Sequence, residues 1–144
     1  MRKTWGCAVA AGILILLLLA LVVIPNRRAA SRAREGFEAV RPGMTLHEVF
    51  GAVDGWTWAS ATGDADLQVT SHEGSYSALW RGADRRCDSR QQLLELVDGQ
   101  DVRAAVRRIT FTYKAAITPA KVSFVVNVGK DGKVESVSQP VSWD

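Results

Sequence analysis

The chain has 144 residues, of which 47% are hydrophobic and 23% charged, with a formal net charge of +3. This is a one-domain length of ordinary composition, without internal repeats, and two cysteines are too few for a disulfide scaffold or a zinc site. Six of the 18 basic residues precede Glu35 and no acidic residue does, so twelve basic residues face fifteen acidic ones in the remainder; a nucleic-acid interface, which needs a basic stripe, is excluded.

Met1, Arg2 and Lys3 form a short basic start. Trp5 to Ile24 then runs without a charge, with Ile13 to Leu19 at its heart. Twenty helical residues span about 30 Å, the thickness of a hydrocarbon core. Trp5 stands where an interfacial aromatic is expected, and Pro25-Asn26 closes the run before Arg27, Arg28, Arg32 and Arg34. Residues 1–25 therefore read as an uncleaved transmembrane signal anchor, in contact with membrane lipid through residues 5–24. Cleavage wants small residues after a shorter apolar run, and Leu21 to Pro25 is bulky. Cys7 precedes the apolar heart, so it cannot be a lipid-modified cysteine following a signal. Basic residues flank both sides, and charge alone leaves the orientation open.

Residues 26–42 read as a juxtamembrane helix or linker, with helical composition from Ala29 to Val40 and a break at Arg41-Pro42-Gly43. Residues 43–144 read as one α+β domain. Thr45 and Glu48 have the spacing of a capping box, and Leu46, Val49, Phe50 and Val53 follow with helical periodicity up to Gly55. From Trp56 the pattern alternates, which predicts that Trp56 and Trp58 share one strand face. Leu67 to Ser71 and Tyr76 to Trp80 read as strands around Glu73-Gly74-Ser75. Asp88 to Val97 reads as a helix capped by Asp88 or Ser89. Val102 to Arg108 fits either a helix or the start of the strand Ile109 to Tyr113. Val122 to Val128 and Val134 to Val141 form a hairpin. A three-residue loop with Gly132 left-handed would set Val128 opposite Val134 and Val125 opposite Val137. The expected architecture is α+β: an N-terminal transmembrane helix, then short helices packed on an antiparallel sheet of four or five strands.

Residues that could carry chemistry are sparse. His47 and His72 are the only histidines, neither in a motif of metal-ligand spacing. Asp64 and Asp66 pair in a glycine-containing turn with too few oxygen ligands for calcium. Arg85 and Arg86 beside Cys87 could lower a thiol pKa, but no histidine is adjacent. No catalytic, cofactor or metal site is expected. Trp56, Trp58 and Trp80 are the candidate interaction residues, because tryptophan is over-used at binding hot spots; core packing is the alternative for each.

The segment Val40-Arg41-Pro42-Gly43-Met44-Thr45-Leu46-His47-Glu48-Val49-Phe50 resembles the opening of the SmpA/OmlA (BamE-like) small envelope lipoprotein family. Gly43, Met44, Thr45, Glu48 and Val49 match that opening. Val125 to Val134, with its Asp131-Gly132 turn, is similar to the family's closing hairpin. Three departures stand beside the match: no cysteine follows the apolar segment, Gly55 is followed by Trp56 rather than proline, and Asp84 to Arg108 reads as an insertion. The resemblance implies helices packed on an antiparallel sheet, a place in the bacterial cell envelope and a link to outer-membrane protein assembly. It brings no catalytic residues. The expectation is a membrane-anchored, non-enzymatic interaction or scaffold domain, extracytoplasmic at the inner membrane, with a protein partner. The alternative is a ligand carrier or enzyme whose pocket the sequence does not display.

Overall fold

The computed structural model describes residues 2–143, with side chains described from Gly6 onward; the expectation for the Trp5 side chain lies outside the described residues. The fold is α+β: α1 (Arg2–Ala39), α2 (Leu46–Ala52), β1 (Trp58–Gly63), β2 (Leu67–His72), β3 (Ser75–Trp80), β4 (Ala83–Cys87), α3 (Arg90–Val97), α4 (Gln100–Ala105), β5 (Val106–Lys114), β6 (Lys121–Val128), β7 (Val134–Val137) and β8 (Val141–Trp143).

The apolar segment and the juxtamembrane segment are a single helix. Pro25 lies inside α1 rather than ending it. The ring removes only the bond to the Leu21 carbonyl, close to the end of the apolar run. The two halves of α1 meet different surroundings. From Val9 to Ile24 the large apolar side chains are exposed, whereas Ala29, Ala33, Gly36 and Val40 are buried. Those four positions follow helical spacing and are mostly small, so the helix backbone approaches β5 and β6 closely. At Gly36 any Cβ would collide with the Tyr113 hydroxyl.

All strands join one antiparallel sheet in the order β4-β3-β2-β1-β5-β6-β7, with β8 also paired to β6. Eight strands replace the expected four or five. Two come from places the residue pattern did not mark. β4 carries Ala83-Asp84-Arg85-Arg86-Cys87, has no apolar alternation and lies at the sheet edge, held by backbone pairing with β3 and by the buried Cys87. The expected strand from Val134 to Val141 divides into β7 and β8 around Pro140, which has no N–H to donate. In the closing hairpin Gly132 has φ +76° and its N–H reaches the Gly129 carbonyl, giving the expected three-residue loop. Val128 faces Val134, as its spacing predicts, but a bulge then shifts the register, so Val137 faces Val126 and not Val125.

Helices cover one sheet face only. α1 lies over β5 and β6, while α3 packs on α2, β3 and β4. A run of aromatic rings ties these layers together. Phe37 meets Phe124 edge-on, Phe124 stacks on Phe111, and Phe111 meets both Phe50 and Trp56, with Tyr76 beyond. Each such pair adds about 0.5–1.5 kcal/mol beyond the area it buries. α2 forms as its sequence predicts. The Thr45 hydroxyl accepts from the Glu48 N–H at 3.3 Å, and the Glu48 carboxylate accepts from the Thr45 N–H at 2.7 Å. Its other end is finished from a distance: the Arg90 guanidinium donates to the carbonyls of Phe50, Gly51 and Val53.

Candidate functional site

The geometry singles out two surfaces, the end of the domain next to the apolar run of α1, here called the anchor-side end after the candidate span, and the uncovered face of the sheet. The anchor-side end is built by the β5–β6 hairpin and the first turns of α1 beyond the apolar run. Lys114 and Lys121 are cross-strand partners at the base of the hairpin tip. At that tip the Thr118 hydroxyl donates to the Asn26 side-chain oxygen at 2.6 Å, which fixes the loop to α1 two residues past Ile24. Ile117, in the same loop, is 62% exposed. From there α1 runs back along the hairpin. Gly36 lies on Tyr113, Phe37 on Phe124, and Gly43 donates to the Val134 carbonyl.

Aromatic and basic residues collect around this end. Trp143 pairs with Lys121 in register and is exposed. The Lys121 ammonium sits 5.3 Å from the centre of the Trp58 ring, a cation–π contact. Between α1 and β5 a cleft of about 230 Å³ is lined by Arg28, Arg32, Tyr113 and Lys114, among others, and among the described residues no acidic side chain lines it.

The uncovered sheet face is mostly polar, with the exposed Leu79 among its residues. Ser60, Gln68, Thr70, Ser77 and Thr110 share it, and Thr112 exchanges a hydrogen bond with Ser123 at 3.0 Å. Antiparallel sheets commonly leave one face to solvent in this way. The β4 edge is exposed and charged, which discourages pairing with other strands. The far edge is partly closed, because Met44 accepts from the Val134 N–H and Thr45 bridges Lys133.

The three candidate tryptophans separate. Trp56 precedes β1 and is buried against Phe50, Phe111 and Tyr76. Trp58 opens β1 on the opposite, uncovered face. The expected shared face fails because the strand begins two residues later than the alternation implied, and the chain turns between the two residues. Trp80 is buried on the helix side of β3, with the Arg81 guanidinium 5.1 Å from its ring centre. Only Trp58 of the three reaches the uncovered face. Trp143 and Ile117 were not singled out from sequence; a lone apolar residue in a Thr-Pro-Ala loop carries no periodic signal.

The chemistry-bearing residues stay apart. His47 and His72 are exposed on α2 and at the end of β2. Asp64 reaches Arg107 at 3.6 Å in an exposed ion pair, worth little. Cys87 is buried, and burial pushes its thiol pKa up, with Asp88 adding to the rise and Arg85 opposing it. The neighbouring arginines therefore do not activate it. Among the described residues no three His, Cys, Asp or Glu side chains gather in metal-binding geometry. Comparison of the chain with protein-family models, curated proteins and solved structures returned no match.

Proposed function

We propose that this chain is a single-pass, membrane-anchored, non-enzymatic interaction domain of the bacterial cell envelope. Its domain faces the extracytoplasmic side of the inner membrane, and its role is allied to outer-membrane protein assembly. The observation that carries the reading is the division of α1. One helix offers an uncovered apolar surface long enough to cross a bilayer, then buries Ala29, Ala33, Gly36 and Val40 in the domain core. The anchor is thus part of the folded domain. The polar sheet face with Trp58 at its border is the surface offered to a protein partner. The resemblance of Gly43 to Phe50 to the SmpA/OmlA opening supports the side of the membrane and the link to assembly.

Two measurements test this. Alkaline phosphatase fused after Asp144 is expected to be active, and activity of a cytoplasm-only reporter instead would overturn the orientation. A photo-crosslinking residue at Ser60 or Ser77, in intact membranes, is expected to yield one protein adduct of discrete mass. Its absence at both positions would remove the open face as the partner surface.

A further inference from the structure

We propose that the cleft between α1 and the β5–β6 hairpin binds the phosphate group of an anionic phospholipid drawn from the same bilayer that holds α1. Arg28, Arg32 and Lys114 line it, with Tyr113 as the aromatic wall. None of the three cations takes part in the ion pairs formed among the described residues, which use Arg34, Arg86, Arg90, Arg103 and Arg107. Asp54 and Glu35 are the carboxylates whose charge reaches the Tyr113 hydroxyl, and neither side chain lines the cleft. Asp54 lies 3.8 Å from Arg90 and accepts from the N–H of Gly55 at the rim of the cleft. Three cations without an ion-pair partner among the described residues, around one cavity, offer a site for an anion.

Position along the helix says which anion. At 1.5 Å per residue, Arg28 stands about 6 Å beyond Ile24 and Arg32 about 12 Å. The polar layer of a bilayer is roughly 5–8 Å deep on each side. Side chains on a helix lean toward its N-terminus, so Arg32 leans back toward that layer. The cleft therefore opens where lipid phosphates lie. A second feature points to lipid rather than to a dissolved ion. The hairpin tip places the exposed Ile117 beside the membrane exit of α1, held there by the Thr118–Asn26 hydrogen bond. Trp143 and Trp58 sit with Lys121 at the same end, the residue types that settle at membrane interfaces. Ile117 would rest among the upper acyl carbons while the cleft holds the headgroup.

The proposal rests on α1 spanning the bilayer, and one experiment separates the two claims. The full-length chain is placed in nanodiscs of phosphatidylcholine containing one quarter phosphatidylglycerol, and lipids retained on the protein are counted by native mass spectrometry. The wild type is expected to keep phosphatidylglycerol well above its share. Arg28→Gln with Arg32→Gln should cut that preference by about fivefold for each cation removed. Arg27→Gln with Arg34→Gln, which takes the same charge from the same helix outside the cleft, should leave most of it. A photo-crosslinking residue at position 117 should label lipid. Failure to enter nanodiscs would deny the anchor and the site together. Entry without lipid preference, equal losses in both double variants, or equal thermal stabilisation by free inorganic phosphate in pure phosphatidylcholine discs would overturn the site alone.

Discussion

Gly36 of α1 lies against the hydroxyl of Tyr113 on β5, with no room for a methyl group between them. That hydroxyl is enclosed and has no hydrogen-bond partner among the described residues. Burial first, then the Asp54 and Glu35 carboxylates, push its ionisation far above the ordinary phenol range, against a smaller opposing effect of Arg32. It is a neutral group stranded at the seam where the anchor helix joins the sheet. Gly36→Ala is expected to cost about 1–3 kcal/mol through overpacking against Tyr113, Phe124 and Val53. Tyr113→Phe should be neutral or stabilise by about 1 kcal/mol, since it deletes an unsatisfied polar atom. Thermal unfolding of the two single variants and the double variant, in micelles, checks this. The double variant should recover part of the Gly36→Ala loss, and strict additivity would refute the contact.

Arg90 joins α3 to the end of α2 through bonds of 3.1, 2.8 and 3.0 Å to three carbonyls. Charged hydrogen bonds of this kind are worth about 1.5–3 kcal/mol. Arg90→Met should lose about that much. Arg90→Lys should restore part of the loss, because all three bonds come from the single Nη2 nitrogen, a point donor that an ammonium can imitate, while the Nη1 approach to Asp54 is lost. Denaturant midpoints of the three proteins make the comparison.

Thr45 and Phe50 occupy the same short helix but should differ in weight. Thr45→Ala removes a cap worth about 1 kcal/mol. Phe50 is 2% exposed and meets the rings of Trp56 and Phe111. Phe50→Ala should cost about 3–5 kcal/mol, enough to bring so small a domain close to unfolding. A Phe50→Ala protein that melts with the parent would remove Phe50 from the core.

The capping box also has a pH signature. Glu48 is held below the ordinary carboxyl value of 4.5, first by the Thr45 N–H and then by the Thr45 hydroxyl, against desolvation, with still smaller help from His47 and Lys133. A carboxyl whose pKa falls on folding lends stability that is complete above the unfolded value and fades as pH drops through the folded one. The stability gap between the parent and Glu48→Gln should therefore be widest near neutrality and narrow below pH 4.5. A gap that widens on acidification would contradict the bond.

What could be read in the residues was local. Thr45 and Glu48 are three apart, and Lys130-Asp131-Gly132 fixes its own turn, so the capped helix and the hairpin loop needed no tertiary knowledge. Features set by partners far along the chain stayed hidden. Nothing in Ala83 to Cys87 marks a strand, because an edge strand needs only a neighbour's backbone. Arg90 meets carbonyls some forty residues upstream. Trp56 and Trp58 alternate like strand neighbours, yet the chain turns before β1 and sends them to opposite sides. The anchor-side surface was half legible. The arginines after Ile24 stood out, whereas Lys114, Ile117 and Trp143 gain meaning only once the hairpin is folded back against α1.

Because α1 passes from the apolar run into the core without interruption, an α1 that spans the bilayer as proposed would mount the domain as on a mast. Fifteen residues separate Ile24 from the end of the helix at Ala39, a lever of about 22 Å. Spanning helices tilt on average by about 20° and adjust that tilt to bilayer thickness. A change of that size would swing the far end of the lever roughly 8 Å sideways. The domain would go with it as a rigid passenger, since Gly36, Tyr113 and Phe124 leave no slack at the joint. Local membrane thickness would then set the angle at which the polar sheet face is presented, making the mechanics of the bilayer an input to whatever that face meets.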